Sequence, residues 1–113
     1  MLKILEHERD FDDFLVANQN KLVLVKFSAV WCPPCQLLKK NIEELLIELQ
    51  QSFGSQKELI LLEIDVDKFS SLTQRPQFNV YSIPAIFLFF QGKMIRKNNG
   101  NLSVFQLKEF IKI

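Results

Sequence analysis

Two cysteines separated by two residues, Cys32 and Cys35, are the side chains of this sequence best suited to chemistry. They stand in Trp31-Cys32-Pro33-Pro34-Cys35, after a nearly continuous Val-, Leu- and Phe-rich run from Leu22 to Ala29. Beyond the motif, Leu37, Leu38, Ile42, Leu45, Leu46 and Leu49 recur three and four residues apart, which predicts a long amphipathic helix. Cys32 then falls at the helix N-terminus and Cys35 in the first turn, a spacing that brings both sulfurs to one side within bonding reach. Free N–H groups and the positive end of the helix dipole stabilise a thiolate there, below the ordinary thiol pKa of roughly 8.5. Cys32, nearer the helix end and the solvent, is the expected nucleophile. Cys35 is the expected resolving thiol, which breaks the mixed disulfide that Cys32 forms with a substrate.

Other chemistries for a cysteine pair fit less well. A structural zinc site takes four nitrogen or sulfur ligands, and the sequence offers only Cys32, Cys35 and the distant His7, so no metal is expected. Gln36 follows the pair where a haem-attachment motif needs histidine. The two prolines tune the turn. Pro34 suits a first helical position, where its missing N–H would lack an intrahelical partner anyway. Pro33 stiffens the turn and removes a further donor, leaving mainly the amides of Cys35 and Gln36 to stabilise charge on Cys32.

The elements that must position this motif follow from periodicity. Leu2 to Leu5 reads as a short strand, and Phe11, Phe14 and Leu15 as one face of a helix. Leu22 to Ala29 has the pattern of a strand covered on both faces. Phe53-Gly54-Ser55 stops the long helix, and Leu59 to Val66 is the next strand. A short helix from about Lys68 to Gln74 ends before Pro76. Ala85 to Phe90 and Met94 to Lys97 flank a hairpin turn at Gln91-Gly92-Lys93. Asn98-Asn99-Gly100-Asn101 reads as a turn. Val104, Leu107, Phe110 and Ile111 form a closing helix capped by Ser103. The order βαβαβαββα predicts an α/β fold: a central mixed sheet, parallel in the middle with an antiparallel edge, flanked by helices on both faces. The phenylalanines, 11 in all, are expected in the core.

Composition bounds the function. The 113 residues fit a single domain spanning 1–113, with 48% hydrophobic and 24% charged residues, near the globular average. A formal charge of +1 argues against nucleic acid or an anionic membrane surface as partner. The apolar runs are far shorter than the roughly 20 residues of a membrane span. The N-terminal stretch turns acidic at Glu6 and Glu8 before any long apolar segment, unlike a signal peptide, so a cytoplasmic, monomeric protein is expected. No flavin- or nucleotide-binding motif is visible. No cofactor is therefore expected beyond the redox-active cysteine pair, and electrons must come from another protein.

Val25-Lys26-Phe27-Ser28-Ala29-Val30-Trp31-Cys32-Pro33-Pro34-Cys35 resembles the active-site strand and loop of thioredoxins, and Ser82-Ile83-Pro84 resembles the loop that faces the cysteines in that family. Gln91-Gly92-Lys93 and Asn99-Gly100-Asn101 followed by a terminal helix resemble its later turns, so the likeness covers nearly the whole chain. The resemblance implies the thioredoxin fold, a cis bond before Pro84, and a shallow apolar surface formed by Trp31, Ile83 and Gly100 that receives substrate. It also implies a protein-disulfide reductase fed by thioredoxin reductase, with peroxiredoxins and thiol-dependent reductases among its clients. Cys-Pro-Pro-Cys, in place of the family's usual Cys-Gly-Pro-Cys, occurs as well in tryparedoxins and in proteins of the TlpA type. A redox protein with another electron donor, or a binding adaptor on the same fold, is the alternative.

Two further departures bear on the chemistry. A proline usual in the family's active-site helix is replaced by Lys40, which implies a straighter helix. The family's buried aspartate, a proton acceptor for the resolving cysteine, aligns with Lys26. A lysine in an apolar strand must snorkel, find an acid or lose its proton. The ordinary expectation is an exposed ammonium on an apolar stem. The functional alternative pairs Lys26 with Glu63 and lets it act electrostatically on Cys32, or accept a proton when neutral.

Overall fold

A computed structural model of the chain describes residues 2–51 and 58–113. The element order is β1 (Leu2–Ile4), α1 (Asp10–Ala17), β2 (Leu22–Ser28), α2 (Pro33–Gln51), β3 (Leu59–Asp65), α3 (Ser70–Thr73), β4 (Ala85–Phe90), β5 (Lys93–Asn99) and α4 (Val104–Phe110). This is the βαβαβαββα order read from periodicity. The helix stop expected at Phe53-Gly54-Ser55 lies outside the described residues.

The five strands form one sheet in the order β1-β3-β2-β4-β5. The pairs β1–β3 and β2–β3 are parallel, β2–β4 and β4–β5 antiparallel. All seven residues of β2 are buried because the strand lies at the centre of the sheet and helices cover both of its faces. Its side chains alternate between two cores. Val23, Val25 and Phe27 pack with Phe11 of α1, Leu72 of α3 and the ring of Phe78. Leu22 and Leu24 pack with Leu38, Ile42 and Leu45 of α2 and Leu107 of α4.

The first core is largely aromatic. Phe78 sits within 5.0 Å of Phe87 and 5.1 Å of Phe27 between ring centroids, and edge contacts extend the cluster to Phe11 and Phe89. Phe105 departs from the expectation for phenylalanines: it is exposed on α4, whose inward face is carried by Leu107.

Local boundaries follow hydrogen bonding. The α3 helix is shorter than expected, because Asp65 O accepts from the amides of Lys68 and Phe69 and turns the chain before the helix begins. The hairpin turn is the two residues Gln91 and Gly92, with φ of 55° and 76°. Two left-handed residues suit the twist of an antiparallel pair, so Lys93 already belongs to β5. Asn98 and Asn99 also belong to β5, opposite Ile86 and Ala85, which confines the expected turn to Gly100 and Asn101. Ser103 caps α4 reciprocally: its hydroxyl accepts from Gln106 N at 3.1 Å, while the Gln106 side chain accepts from Ser103 N. Asn41 of α2 donates to Leu102 O at 2.9 Å and docks this last helix.

Candidate active site

The cysteine motif crosses from the end of β2 to the start of α2. Cys32 N donates to Ala29 O, and Cys32 O accepts from Gln36 N at 3.2 Å, the first bond of the helical ladder. Cys32 is therefore the N-cap residue. The helix begins at Pro33, one residue earlier than expected, because neither proline has an N–H to satisfy in the first turn. Pro33 occupies the first helical position and Pro34 the second.

Cys32 and Cys35 are joined as a disulfide, with Cα atoms 5.3 Å apart. Cys35 N donates to Cys32 Sγ at 3.3 Å. The Gln36 amide, expected to help stabilise that sulfur, is taken by the Cys32 carbonyl instead. An N-cap side chain ordinarily accepts from the second or third helical amide, and Pro34 removes the second. Cys32 is the more exposed of the two cysteines, but only at 3% against 0%.

Around the disulfide, Ala29 shares the buried cluster of both cysteines, and Val66 and Ile83 pack against it. The Ile83–Pro84 peptide is cis. Pro84 O accepts from Gly100 N at 2.8 Å, and Gly100 takes φ of 92°, a left-handed conformation that disfavours other residues. Asn99 donates to Ser82 and anchors the same loop from β5. Val30, Trp31 and Tyr81 are 80, 65 and 82% exposed. The Trp31 indole N–H donates to Asp67 Oδ2 at 2.9 Å, and Asp67 N in turn donates to Asp65 Oδ1. Of the residues expected beside the cysteines, Ile83 packs against them, Pro84 follows it through the cis bond and holds Gly100, and Trp31 precedes Cys32 in the chain. Sequence reading missed Asp67 and Tyr81, whose only sequence signal is the adjacency of Tyr81 to Ser82-Ile83-Pro84, and it read Asn99 as part of a turn, not as the anchor of Ser82.

Lys26 overturns its ordinary expectation. It is 1% exposed, and its ammonium donates to Glu63 Oε1 at 2.9 Å rather than reaching solvent. The reason is its register: Lys26 sits opposite both Glu63 of β3 and Ile86 of β4, in the middle of the sheet, and points to the face that α2 covers. Burial lowers the Lys26 pKa from its usual 10.5, while the hydrogen bond and charge of Glu63 oppose that shift without cancelling it. Ser28 Oγ also donates to Glu63 Oε1, at 3.2 Å.

The thioredoxin family model matches residues 3–113. The chain belongs to the thioredoxin family. It is 30% identical over 111 residues to a thioredoxin of Mycoplasmoides gallisepticum, covering 98% of this chain and 100% of that protein. It is 32% identical over 98 residues to a thioredoxin of Buchnera aphidicola, covering 87% and 83% of the two chains. The solution structure of the oxidised thioredoxin from Plasmodium falciparum superposes with a TM-score of 0.75 at 27% identity, over 98% of this chain and 95% of that one.

With the family and the cysteine pair together, the activity is thiol–disulfide exchange: the chain is a protein-disulfide reductase of the thioredoxin type. Thioredoxins work without a cofactor, taking electrons from a reductase and passing them to disulfide-bearing clients. Among the described residues, no group of three or more His, Cys, Asp or Glu is placed to hold a metal, and no helix is long and apolar enough to cross a membrane.

Proposed function

We propose that Cys32 is the attacking thiol and Cys35 the resolving thiol in the reduction of client disulfides. The observation that carries this reading is the hydrogen bond from Cys35 N to Cys32 Sγ at the start of α2. A donor and the positive end of a helix dipole stabilise the Cys32 thiolate, whereas Cys35 lies wholly buried beneath it. The thiolate attacks one sulfur of a client disulfide; the other leaves. Cys35 then attacks Cys32, and the reduced client departs while the pair is left oxidised.

Clients dock over Trp31, Ile83 and Gly100. An extended client segment pairs with the backbone beside Ile83 and Pro84, and apolar side chains rest on the exposed Trp31 ring. A thioredoxin reductase returns the pair to the dithiol, and peroxiredoxins and thiol-dependent reductases are the clients. The protein acts as a single domain over 1–113, as a monomer in the cytoplasm, with no metal or other cofactor. Lys26 sets the electrostatic background of the pair from beneath α2.

Cysteine-to-serine trapping tests the polarity. Cys35→Ser is expected to accumulate client mixed disulfides on Cys32, and Cys32→Ser to accumulate none; trapping by Cys32→Ser alone would reverse the assignment. Turnover of an oxidised peroxiredoxin coupled to a thioredoxin reductase tests the donor and the client together.

A further inference from the structure

Cys35 cannot attack as a thiol. In the resolving step its proton must go to a nearby group, and a fully buried sulfur has no direct access to bulk water. The groups that could receive it lie on the sheet face beneath α2. Leu22 and Leu24 of β2 and Leu59 and Leu61 of β3 point to that face, and alternation places Lys26, Ser28, Glu63 and Asp65 on it. From α2, the charges of Lys39 and Glu43 reach Lys26.

Glu63 differs from its partner Lys26 in one decisive respect. Lys26 is sealed, whereas the Glu63 side chain is 15% exposed and lines an open cleft of about 500 Å³. The same cleft is lined by Ser28, Ala29, Gln36, Lys39 and Asp65. Ala29 packs against both cysteines and Gln36 follows Cys35 directly. The cleft carries the side chains of Ser28, Gln36, Lys39, Glu63 and Asp65, is large enough for water, and extends from the carboxylate to Ala29, which packs against the sulfurs.

We infer that Glu63 is the proton acceptor for Cys35 in the resolving step, its carboxylate held by Lys26 and Ser28 and reached through water in this cleft. The inference rests on Cys35 being the resolving thiol. The Cys35 thiol gives its proton through water to the Glu63 carboxylate, and the resulting thiolate forms a bond to Cys32 Sγ. The bond between Cys32 and the client sulfur breaks, and the electron pair leaves with the client as a thiolate, which takes a proton from solvent. Cys35 and Cys32 end oxidised, the client reduced. Glu63 then returns its proton to the cleft. Lys26, bonded to the same Oε1, keeps the carboxylate turned inward, and burial weakens the hold of Lys26 on its own proton.

The test is single-turnover reaction of the reduced protein with oxidised glutathione, quenched in acid, with the glutathionylated cysteine mapped by mass spectrometry across pH. In Glu63→Gln the first attack is expected to keep its rate within about twofold while resolution slows by about 100-fold, so that glutathione accumulates on Cys32. Glu63→Asp should recover part of the resolving rate. If Glu63→Gln does not fold, Lys26→Met/Glu63→Gln, which removes the whole buried charge pair, is expected to accumulate the same species. An unchanged partition between attack and resolution in the folded variant overturns the inference. So does accumulation in Lys26→Met, with Glu63 intact, that equals that in Glu63→Gln. Glutathione on Cys35 in place of Cys32 would instead overturn the assignment of the attacking thiol.

Discussion

Lys26 Nζ and Glu63 Oε1 lie 2.9 Å apart beneath the helix that starts at the redox motif, joining the central strand to its parallel neighbour. An ion pair this deep contributes little net stability when compared with an apolar pair, but breaking it from one side leaves a charge without a partner. Glu63→Leu is therefore expected to cost about 3 to 5 kcal/mol, measured by urea unfolding. Lys26→Met/Glu63→Leu should recover most of that loss. Equal losses in the single and double variants would contradict the pairing.

The lowered pKa of Lys26 makes stability depend on alkaline pH. The unfolded chain holds the lysine proton up to about its usual 10.5, whereas the folded chain releases it sooner because burial disfavours the ammonium. Between the folded value and 10.5 the unfolded state binds more protons, so the contribution of this group to stability rises with pH. Below the folded value it is constant. Wild type minus Lys26→Met, followed by urea midpoints at increasing alkaline pH, is expected to show that rise; a flat difference would remove the linkage.

Pro34 occupies the second helical position and denies Cys32 one of its two ordinary capping amides. Pro34→Ala returns that donor. A further hydrogen bond to a charged acceptor is expected to move the thiolate absorbance titration of the reduced protein to lower pH by about one unit. Because a stabilised thiolate favours the reduced pair, equilibration with glutathione should show Pro34→Ala to be the stronger oxidant. A titration that stays in place would mean that the Cys35 amide already saturates the sulfur.

Trp31 is the sole tryptophan, and Asp67 holds its indole N–H. Asp67→Ala is expected to lower the fluorescence anisotropy of the ring while costing no more than about 1 kcal/mol, since the bond is exposed. For a protein client, the proposed docking over Trp31 predicts that KM rises severalfold with kcat little changed, since the sulfurs are untouched. A fall in kcat alone would argue that Trp31 acts on the cysteines.

Much of the fold was legible because its elements are strongly periodic. The three- and four-residue recurrence from Leu37 to Leu49 marks a helix, the short Val- and Phe-rich run from Leu22 to Ala29 marks a strand, and together they put Cys32 at a strand-to-helix junction. The α3 boundary was not legible, since the bonds from Lys68 and Phe69 to Asp65 O carry no periodic signature. The exposure of Phe105 was not legible either, because composition says that phenylalanine is buried and only the docking angle of α4 says otherwise.

By itself the sequence named the chemistry: the start of an amphipathic helix and the resemblance to thioredoxins together mark the Cys32-Cys35 pair for disulfide exchange. The tertiary structure decided what surrounds it. Lys26 and Glu63 are 37 residues apart in the chain, Trp31 and Asp67 are 36, and nothing local to any of them specifies its partner. Whether Lys26 snorkels or is sealed depends on β2 lying between β3 and β4 under α2, a consequence of strand order. Burial and partnership are properties of the packed sheet, so the charge beneath the cysteines could be named from the sequence but placed only by the fold.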